Sequence, residues 1–368
     1  MKRERLKELD ILRAIAFIFV VEQHTISNAH YTIYKILYTL AKPAAAVFLC
    51  ISGISLCYVY LENFNWEKYY IKRAIKILIP YMVWSLIYLY IYGKSISLTN
   101  LLVQVMAGNA YYHLWYMGMT IRLFVYFPII LLIAKKVHKQ DLKLRIVILI
   151  TVILSYYEVS KYNNVIANNI SFFIFKNPTE IQQRIINISP LFWFLYFVLG
   201  LYIAFNYKFF KKTILKFKVP VIGIYILLFI YSYLNEINKI KFSRSLSLLY
   251  YVFTILLWYI ISVGLTDKNK IYTFFNFIGK YSFAGYMVHL LVVRIVFNQL
   301  SVYLPFNYTL VIGILTWILT SVTTPLLVKL ITFIPYTVFI TGIDSVHDKK
   351  QILTLKSVKD ETINGQIL

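Results

Sequence analysis

Apolar runs separated by short polar segments divide almost the whole chain. Most runs approach the roughly 20 residues that an α-helix needs to cross a bilayer. They predict ten membrane-spanning helices, at residues 11–29, 43–61, 77–93, 115–134, 144–158, 189–207, 219–235, 245–265, 282–300 and 309–333. The pattern therefore predicts an all-α, polytopic integral membrane protein, with a transmembrane domain over residues 1–340 and a polar cytoplasmic tail over residues 341–368.

Composition supports the membrane prediction. Of the 368 residues, 60% are apolar and 14% are charged, whereas an ordinary globular protein carries roughly 25% charged residues. Too few polar side chains remain to cover a water-soluble surface, so the composition excludes a soluble enzyme. The net charge of +23 would suit a nucleic acid, but basic residues in a membrane protein collect in its cytoplasmic loops. We therefore expect a lipid bilayer around the chain, and no nucleic-acid partner.

Loop charge supports the number of spans and gives their orientation. With the N-terminus placed inside, the inner segments hold 25 Lys and Arg residues and the outer segments hold nine. Because positive residues are enriched on the cytoplasmic side, this ratio predicts both termini in the cytoplasm. The basic residues 2–5 before an apolar run also resemble a signal peptide. Arg13 and Glu22 interrupt that run, so we expect an uncleaved first helix.

Two ionisable residues of the first helix share one face. Arg13 and His24 are eleven residues apart, which corresponds to a rotation of about 1100° and a rise of about 16 Å. A charge inside a bilayer is costly, so each such residue needs a partner or a function. Arginine binds phosphate well, and histidine is the usual general base near neutral pH. The alternative is a snorkelling Arg13 and a structural His24.

Glu22 lies on a different face of the same predicted helix, about 160° from His24. A carboxylate at this depth requires a compensating charge. We expect a structural ion pair with Arg122 or Arg294, which also lie within predicted spans. A role for Glu22 in proton transfer is the alternative.

The ninth predicted span carries a second polar face. Ser282, Tyr286 and His289 follow one another at spacings of four and three residues, which places them on one side of a helix. With the orientation given above, Ser282 lies near the cytoplasm and His289 near mid-depth. These residues are candidates for a reaction site, and a polar seam between helices is the alternative.

Two further segments could bind substrates from opposite sides of the membrane. Lys72–Lys76 forms a basic stretch before the third span, which suits a phosphate-bearing cytoplasmic ligand or simply anchors the helix. His113 opens the fourth span from the outer side and could contact an extracellular substrate. The adjacent Trp115 also suits an interfacial aromatic belt.

Several common catalytic motifs are absent from the sequence. There is no G-x-S-x-G elbow, no P-loop, no H-E-x-x-H and no Cys/His spacing typical of a metal site. We therefore expect no metal. Cys50 and Cys57 lie seven residues apart in an apolar run, so we expect two reduced residues of the helix core.

Five segments resemble, in order, the motifs of the membrane-bound acyltransferase 3 family. The resemblance extends over roughly residues 6–340. The first segment resembles that family's Arg-x10-His signature, the second its FF-x-ISG stretch, the third its basic run before a helix and a proline, the fourth HLWF and the fifth S-Y-x-x-Y-x-x-H. In this chain they are Leu9–Ala14 with His24, Val47–Gly53, Tyr70–Pro80, His113–Tyr116 and Gly279–His289.

The resemblance implies a ten-helix acyltransferase of the bacterial cytoplasmic membrane. It would transfer an acyl group from cytoplasmic acyl-CoA to a hydroxyl of an extracytoplasmic or lipid-linked glycan. Acyl-CoA would be the donor co-substrate, and no other cofactor is expected. Acetyl is the expected acyl group and succinyl the alternative. Other cell-envelope biosynthesis proteins are possible partners. His24 would be the base, and Arg13 and His289 would complete the catalytic group. Arg13 would also bind substrate, together with Ser52, Arg73, Lys76, His113, Trp115, Arg122, Ser282 and Tyr286.

The sequence leaves two other functions open. Buried charges also suit a permeation path, so an exporter or flippase for a polysaccharide or its lipid-linked precursor is the main alternative. A non-catalytic scaffold in a cell-envelope complex is the third. An enzyme requires consumption of acyl-CoA that depends on His24, a transporter moves its substrate without releasing CoA, and a scaffold tolerates loss of this histidine.

Overall fold

A computed structural model describes residues 5–25, 32–304 and 309–346. The regular elements in these ranges are helices. In the first half of the chain they are α1 (Lys7–Thr25), α2 (Thr32–Ala41), α3 (Ala44–Tyr60), α4 (Trp66–Arg73), α5 (Ile79–Ile91), α6 (Leu98–Ala107), α7 (Trp115–His138), α8 (Leu142–Lys161) and α9 (Asn163–Phe175). In the second half they are α10 (Glu180–Asn187), α11 (Phe194–Phe205), α12 (Tyr207–Lys216), α13 (Lys218–Glu236), α14 (Arg244–Leu265), α15 (Asn269–Tyr303), α16 (Thr309–Ile331) and α17 (Val338–Thr341). A π-helical turn over Ala74–Leu78 joins α4 to α5, and 3₁₀ turns cover Tyr112–Leu114 and Pro190–Phe192.

Seven helical segments of the described chain are long and apolar enough to cross a membrane. They are Thr32–Tyr60, Trp66–Ile91, Tyr112–His138, Lys218–Glu236, Arg244–Leu265, Asn269–Tyr303 and Thr309–Ile331. Each coincides with one predicted span. The other three predicted spans overlap α1, α8 and α11, and residues 26–29 of the first span lie outside the described residues. Helices α1 and α8 carry several charged residues, and α11 has only 12 residues. Ten spans and cytoplasmic termini therefore stay predictions.

Helix α1 lies inside the bundle, which explains its charged residues. It packs against α3, α14, α15 and α16, among others. The approach to α15 is closest at Gly279, where a Cβ atom would stand 2.3 Å from the carbonyl oxygen of Asp10. Small residues allow this kind of backbone contact between membrane helices. Because protein rather than lipid surrounds α1, it can carry ionisable groups that a lipid-facing helix could not.

Helices α3 and α11 also cross with their backbones in contact. A Cβ atom on Gly53 would lie 2.4 Å from the carbonyl oxygen of Phe197, and one on Gly200 would lie 2.2 Å from that of Cys50. Cys50 and Cys57 are both buried in this part of the core, and neither forms a disulfide, as the sequence predicts. This crossing fixes α3, which contributes one wall of the main cavity.

The residues after α16 return to the start of α5. Lys76 Nζ lies 2.7 and 2.8 Å from the two carboxylate oxygens of Asp344. Trp84 Nε1 donates a hydrogen bond of 2.9 Å to the carbonyl oxygen of Ile340. The first residues of the predicted polar tail therefore pack on the bundle, and residues 347–368 lie outside the described part of the chain.

Candidate active site

The main cavity lies between α1, α3, α7 and α15 and has a volume of about 320 Å³. Five of the predicted site residues line it, although they come from distant parts of the sequence. They are Arg13, Ser52, Arg73, Ser282 and Tyr286. The described residues that line the cavity include two guanidinium groups and no carboxylate. The cavity is therefore electrostatically suited to an anion.

Arg13 has weak partners that leave donors free. Its Nη2 donates to Ser55 Oγ at 3.4 Å, and its Nη1 lies 3.6 Å from a carboxylate oxygen of Asp10. A guanidinium group has five N–H donors, so most of them stay available. The carboxylate of Asp10 also accepts a shorter hydrogen bond of 2.7 Å from Arg5, which reduces its hold on Arg13.

Arg73 is held by aromatic rings rather than by a carboxylate. Its guanidinium carbon lies 5.4 Å from the ring centres of Tyr69 and Phe124 and 5.9 Å from that of Tyr60. Cation–π contacts orient a guanidinium group without neutralising it. The buried Nε of Arg73 has no hydrogen-bond partner among the described residues. Arg73 therefore brings an uncompensated positive charge to the cavity.

Three histidines meet next to this cavity. The ring centre of His289 lies 5.2 Å from that of His24 and 5.1 Å from that of His113, and the last two rings are 6.3 Å apart. They come from α15, from α1 and from the 3₁₀ turn before α7. Within the described ranges, no group of three or more His, Cys, Asp or Glu side chains is arranged to hold a metal ion. We call these three residues the imidazole cluster.

Tyr286 connects the cavity to the imidazole cluster. It lines the cavity, its ring centre lies 5.5 Å from those of His113 and His289, and its hydroxyl donates a hydrogen bond to the backbone carbonyl of His113. Ser282, one turn earlier, also lines the cavity and donates to the carbonyl oxygen of Gly279 at 2.9 Å. The cavity and the cluster are therefore separated by a single side chain.

His289 has a defined tautomer. Its Nδ1 lies 2.6 Å from the carbonyl oxygen of Tyr286, and a carbonyl can only accept a hydrogen bond, so Nδ1 carries the proton. Its Nε2 is buried without a hydrogen-bond partner among the described residues. In the neutral ring this nitrogen has a free lone pair. It can accept a proton or a hydrogen bond inside the cluster.

His24 is the member of the cluster nearest to the protein surface. It is partly exposed, whereas His113 and His289 are at most 1% exposed. The ring of His24 makes an edge contact with Tyr112, at 5.4 Å between ring centres. Because Tyr112 is itself 50% exposed, a molecule outside the bundle can approach His24 along this side chain.

Lys76, Trp115 and Arg122 do not line the main cavity. Lys76 is paired with Asp344, and Trp115 packs on Trp193 with 5.3 Å between ring centres. Arg122 donates to the backbone carbonyls of Met106 and Ile185, so it binds the carbonyl end of α6. Helix C-termini attract cations in this way. His113 also does not line the main cavity, but it belongs to the imidazole cluster, because its turn between α6 and α7 lies inside the bundle.

The expected ion pair of Glu22 is wrong. Both carboxylate oxygens of Glu22 are buried without a hydrogen-bond partner among the described residues. Arg122 is committed to backbone carbonyls, and the Arg294 guanidinium carbon lies 6.0 Å from the ring centre of Tyr92. The sequence places all three in spans but contains no information on which helix faces meet.

Most residues of the cavity were not predicted as site residues, and two of these are polar side chains of α7. Tyr116 and Thr120 line it from α7, and the ring of Tyr116 lies 5.5 Å from that of Tyr286. Their spacing of four residues gives them one helix face. This spacing was the available signal, but an aromatic residue at the start of a span is more commonly part of an interfacial belt.

Comparison with known proteins shows the family. The family model described as an acyltransferase domain matches residues 6–339, which is nearly the whole chain. No curated protein and no solved structure matches the chain. The match confirms the resemblance carried by the five sequence motifs, and the apolar helices agree with a multi-pass membrane protein. The chain belongs to the acyltransferase 3 family and is a membrane acyltransferase.

Proposed function

We propose that the protein is an O-acyltransferase that takes an acyl group from cytoplasmic acyl-CoA to a hydroxyl of an extracytoplasmic or lipid-linked glycan. One observation carries the proposal. A cavity with two guanidinium groups lies one side chain away from three clustered imidazoles. This arrangement would supply an anion site lined by Tyr286 and a base, His24, that is connected to Tyr286 through His289.

The main cavity is the proposed donor site. Arg13 and Arg73 would bind the phosphates of CoA, because guanidinium groups form charge-assisted hydrogen bonds with phosphate. The hydroxyls of Ser52 and Ser282 offer further polar contacts along the cavity wall. Lys76 would join the phosphate contacts after release from Asp344, an exchange of one anion for another. Acetyl is the proposed acyl group and succinyl the alternative.

The imidazole cluster is the proposed site of the chemical step. A ring nitrogen of His24 accepts the proton of the glycan hydroxyl while the hydroxyl oxygen attacks the thioester carbonyl carbon. The new C–O bond gives a tetrahedral intermediate, which collapses as the C–S bond breaks. The proton taken by His24 then passes to the CoA sulfur. The products are the glycan ester and free CoA thiol, with no acyl-enzyme intermediate.

The other two histidines would position the reacting groups. The Nε2 lone pair of His289 can accept a hydrogen bond from His24, directly or through one water, which would leave the second nitrogen of His24 free as the base. His113 would contact the acceptor, and its backbone is fixed by the hydroxyl of Tyr286. His289 and Tyr286 thus connect the base to the donor cavity.

Release of CoA by the purified protein in nanodiscs tests this proposal. Acetyl-CoA and succinyl-CoA are each supplied with and without glycan acceptors, for the wild type and for His24→Ala. His138→Ala is the control, because His138 lies at the far end of α7 and stacks on Phe205. We expect acceptor-dependent release that is lost only in His24→Ala. Unchanged release in His24→Ala contradicts the proposal, and substrate movement without CoA release supports an exporter instead.

A further inference from the structure

Two more cavities lie next to each other, and a lining residue of one of them, Tyr112, contacts His24 of the imidazole cluster. The first has a volume of about 570 Å³ and the second about 250 Å³. Asn187, at the end of α10, lines both. Trp115 of the first cavity packs on Trp193 of the second, with 5.3 Å between ring centres. They therefore adjoin along one wall.

Their lining has the chemistry of a sugar-binding surface. Tyr112 and Trp115 supply aromatic faces to the first cavity, and Trp193 and Tyr251 supply them to the second. The apolar C–H faces of sugar rings pack on such rings. Amide side chains, each both donor and acceptor, suit pairs of sugar hydroxyls. They are Asn109 in the first cavity, Asn163 and Asn235 in the second and the shared Asn187.

The charges along this surface are predominantly positive. Three cations line the two cavities, against the single carboxylate of Glu180. Lys42 is neutralised by Glu236, whose carboxylate oxygen lies 2.9 Å from Nζ. Arg184 and Arg244 have backbone carbonyls, and no carboxylates, as partners within the described chain. Both arginines therefore keep their charge and several N–H donors for a ligand.

One side chain separates the first cavity from the proposed base. Tyr112 lines this cavity and contacts the ring of His24. In the predicted topology, Asn109, Asn163 and Arg244 belong to segments between spans, and the charge distribution predicts these segments on the extracytoplasmic side of the membrane. A glycan in these cavities would therefore reach His24 from the side opposite to the proposed CoA phosphates.

We infer that these two adjoining cavities form one groove that binds an acidic oligosaccharide, with the reacting sugar beside Tyr112 and a negatively charged group of another sugar at Arg244. The inference rests on the proposed acceptor being a glycan and adds that it is extended over several sugars and anionic. A uronic acid carboxylate and a phosphodiester of the glycan offer the same chemistry to a guanidinium group. Either would select acidic over neutral polymers.

Binding of defined oligosaccharides to the nanodisc-embedded protein, without acyl-CoA, tests the inference. The probes are hexamers of galacturonic acid, hyaluronan and a glycerol-phosphate-linked glycan, each compared with a neutral hexasaccharide of similar backbone. Calorimetry gives the affinity, and tryptophan fluorescence reports on Trp115 and Trp193. We expect at least one acidic hexamer to bind about tenfold or more tightly than its neutral counterpart, and the preferred probe to distinguish a carboxylate from a phosphate ligand.

Variants of Arg244 assign the preference to the groove. Arg244→Gln should reduce the affinity for the preferred acidic hexamer about tenfold and leave the neutral hexamer unaffected, whereas Arg244→Lys should retain most of the preference. Lys241→Gln is the matched control, since Lys241 is an exposed cation three residues before Arg244 and lines neither cavity. Equal affinity for acidic and neutral hexamers, absence of binding by every acidic hexamer, or equal losses in Arg244→Gln and Lys241→Gln would each overturn the inference.

The binding experiment and the CoA-release experiment fail independently. If acidic hexamers bind through Arg244 but the protein does not release CoA, the groove is supported and the acyltransfer mechanism is contradicted. If acceptor-dependent CoA release does not change with Arg244→Gln or with the charge of the acceptor, the mechanism is supported and the groove is contradicted.

Discussion

The imidazole rings of His24 and His289 lie 5.2 Å apart between ring centres, although one belongs to the first helix of the chain and the other to α15. Gly279 makes this possible, because it lets the backbones of α1 and α15 touch ten residues before His289. The close contact fixes both helices in depth and rotation. The candidate site therefore depends on packing between opposite ends of the sequence.

His289→Asn should separate the structural role of His289 from its chemical role. The amide nitrogen of asparagine can replace Nδ1 as the donor to the Tyr286 carbonyl, but Nε2 is lost. We expect kcat for CoA release to fall about 100-fold, within the range typical of acid–base groups, while KM for acyl-CoA and thermal stability change little. Steady-state kinetics and a melting curve measure both. Full activity in His289→Asn would remove Nε2 from the mechanism.

Arg13→Ala should weaken donor binding. One charge-assisted hydrogen bond contributes about 1.5–3 kcal/mol, so KM for acyl-CoA should rise about 10- to 100-fold. Arg13→Lys keeps the charge and should give an intermediate value. Lys139→Ala is the control, because this exposed cation lies outside the main cavity. The phosphate contact is excluded if Arg13→Ala and Lys139→Ala have the same KM.

Tyr286→Phe tests the connection between the cavity and the cluster. The substitution keeps the ring but removes the donor to the carbonyl of His113, and an unsatisfied buried carbonyl costs about 1–3 kcal/mol. We expect a lower melting temperature together with a lower kcat. Tyr281→Phe provides the comparison, since no hydrogen bond of the Tyr281 hydroxyl is present within the described chain. Equal melting temperatures for the two variants would show that the bond contributes no stability.

Gly200→Ala tests the crossing of α3 and α11. The new methyl group would lie 2.2 Å from the Cys50 carbonyl oxygen. Overpacking of this kind should lower the free energy of unfolding by about 1–3 kcal/mol. Gly223→Ala introduces the same methyl group where no atom lies within 4 Å. It should be neutral or stabilising by up to about 1 kcal/mol, because alanine favours helices. Thermal unfolding in one detergent compares them, and equal melting temperatures would contradict the close crossing.

Asp344→Asn tests the proposed role of Lys76. The side chains of this ion pair are 33% and 42% exposed, and exposed pairs contribute about 0–1 kcal/mol, so stability should hardly change. The freed ammonium group should bind CoA phosphate, which lowers KM for acyl-CoA. Asp344→Asn combined with Lys76→Gln should reverse this gain. A KM that does not respond to Asp344→Asn would leave Lys76 a purely structural residue.

The sequence predicts residues that share a helix better than contacts between helices. Ser282, Tyr286 and His289 were expected on one face from their spacing alone, and the structure brings all three to the cavity or the cluster. Spacings of four and three residues define one helix face whatever that face contacts. Seven of the ten predicted spans likewise overlap helices of the described chain that are long and apolar enough to cross a membrane, whereas α1 and α8 carry several charges and α11 is short.

A single sequence does not show which helix faces contact each other. Glu22 was expected beside an arginine, but the available cations bind carbonyls or rings instead. Arg122 is attracted to the end of α6, a backbone feature that no side-chain pattern reveals. The sequence also did not predict the adjoining cavities around Asn187. Most of their polar residues are spread over several segments between the predicted spans, and no repeated spacing connects them.

The interior position of α1 has a consequence for the biogenesis of the protein. This helix is synthesised long before α14, α15 and α16, three of the helices that pack against it. Each charged residue exposed at the centre of a lipid-facing helix costs about 2.5–3.5 kcal/mol. Until α15 and α16 have been made, the charged residues of α1 therefore lack part of the packing that separates them from lipid. A nascent chain that stops before α15 leaves α1 in contact with α3 and α14 but without α15 and α16, so the protein surroundings of Arg13 and Glu22 are incomplete until those two helices are made.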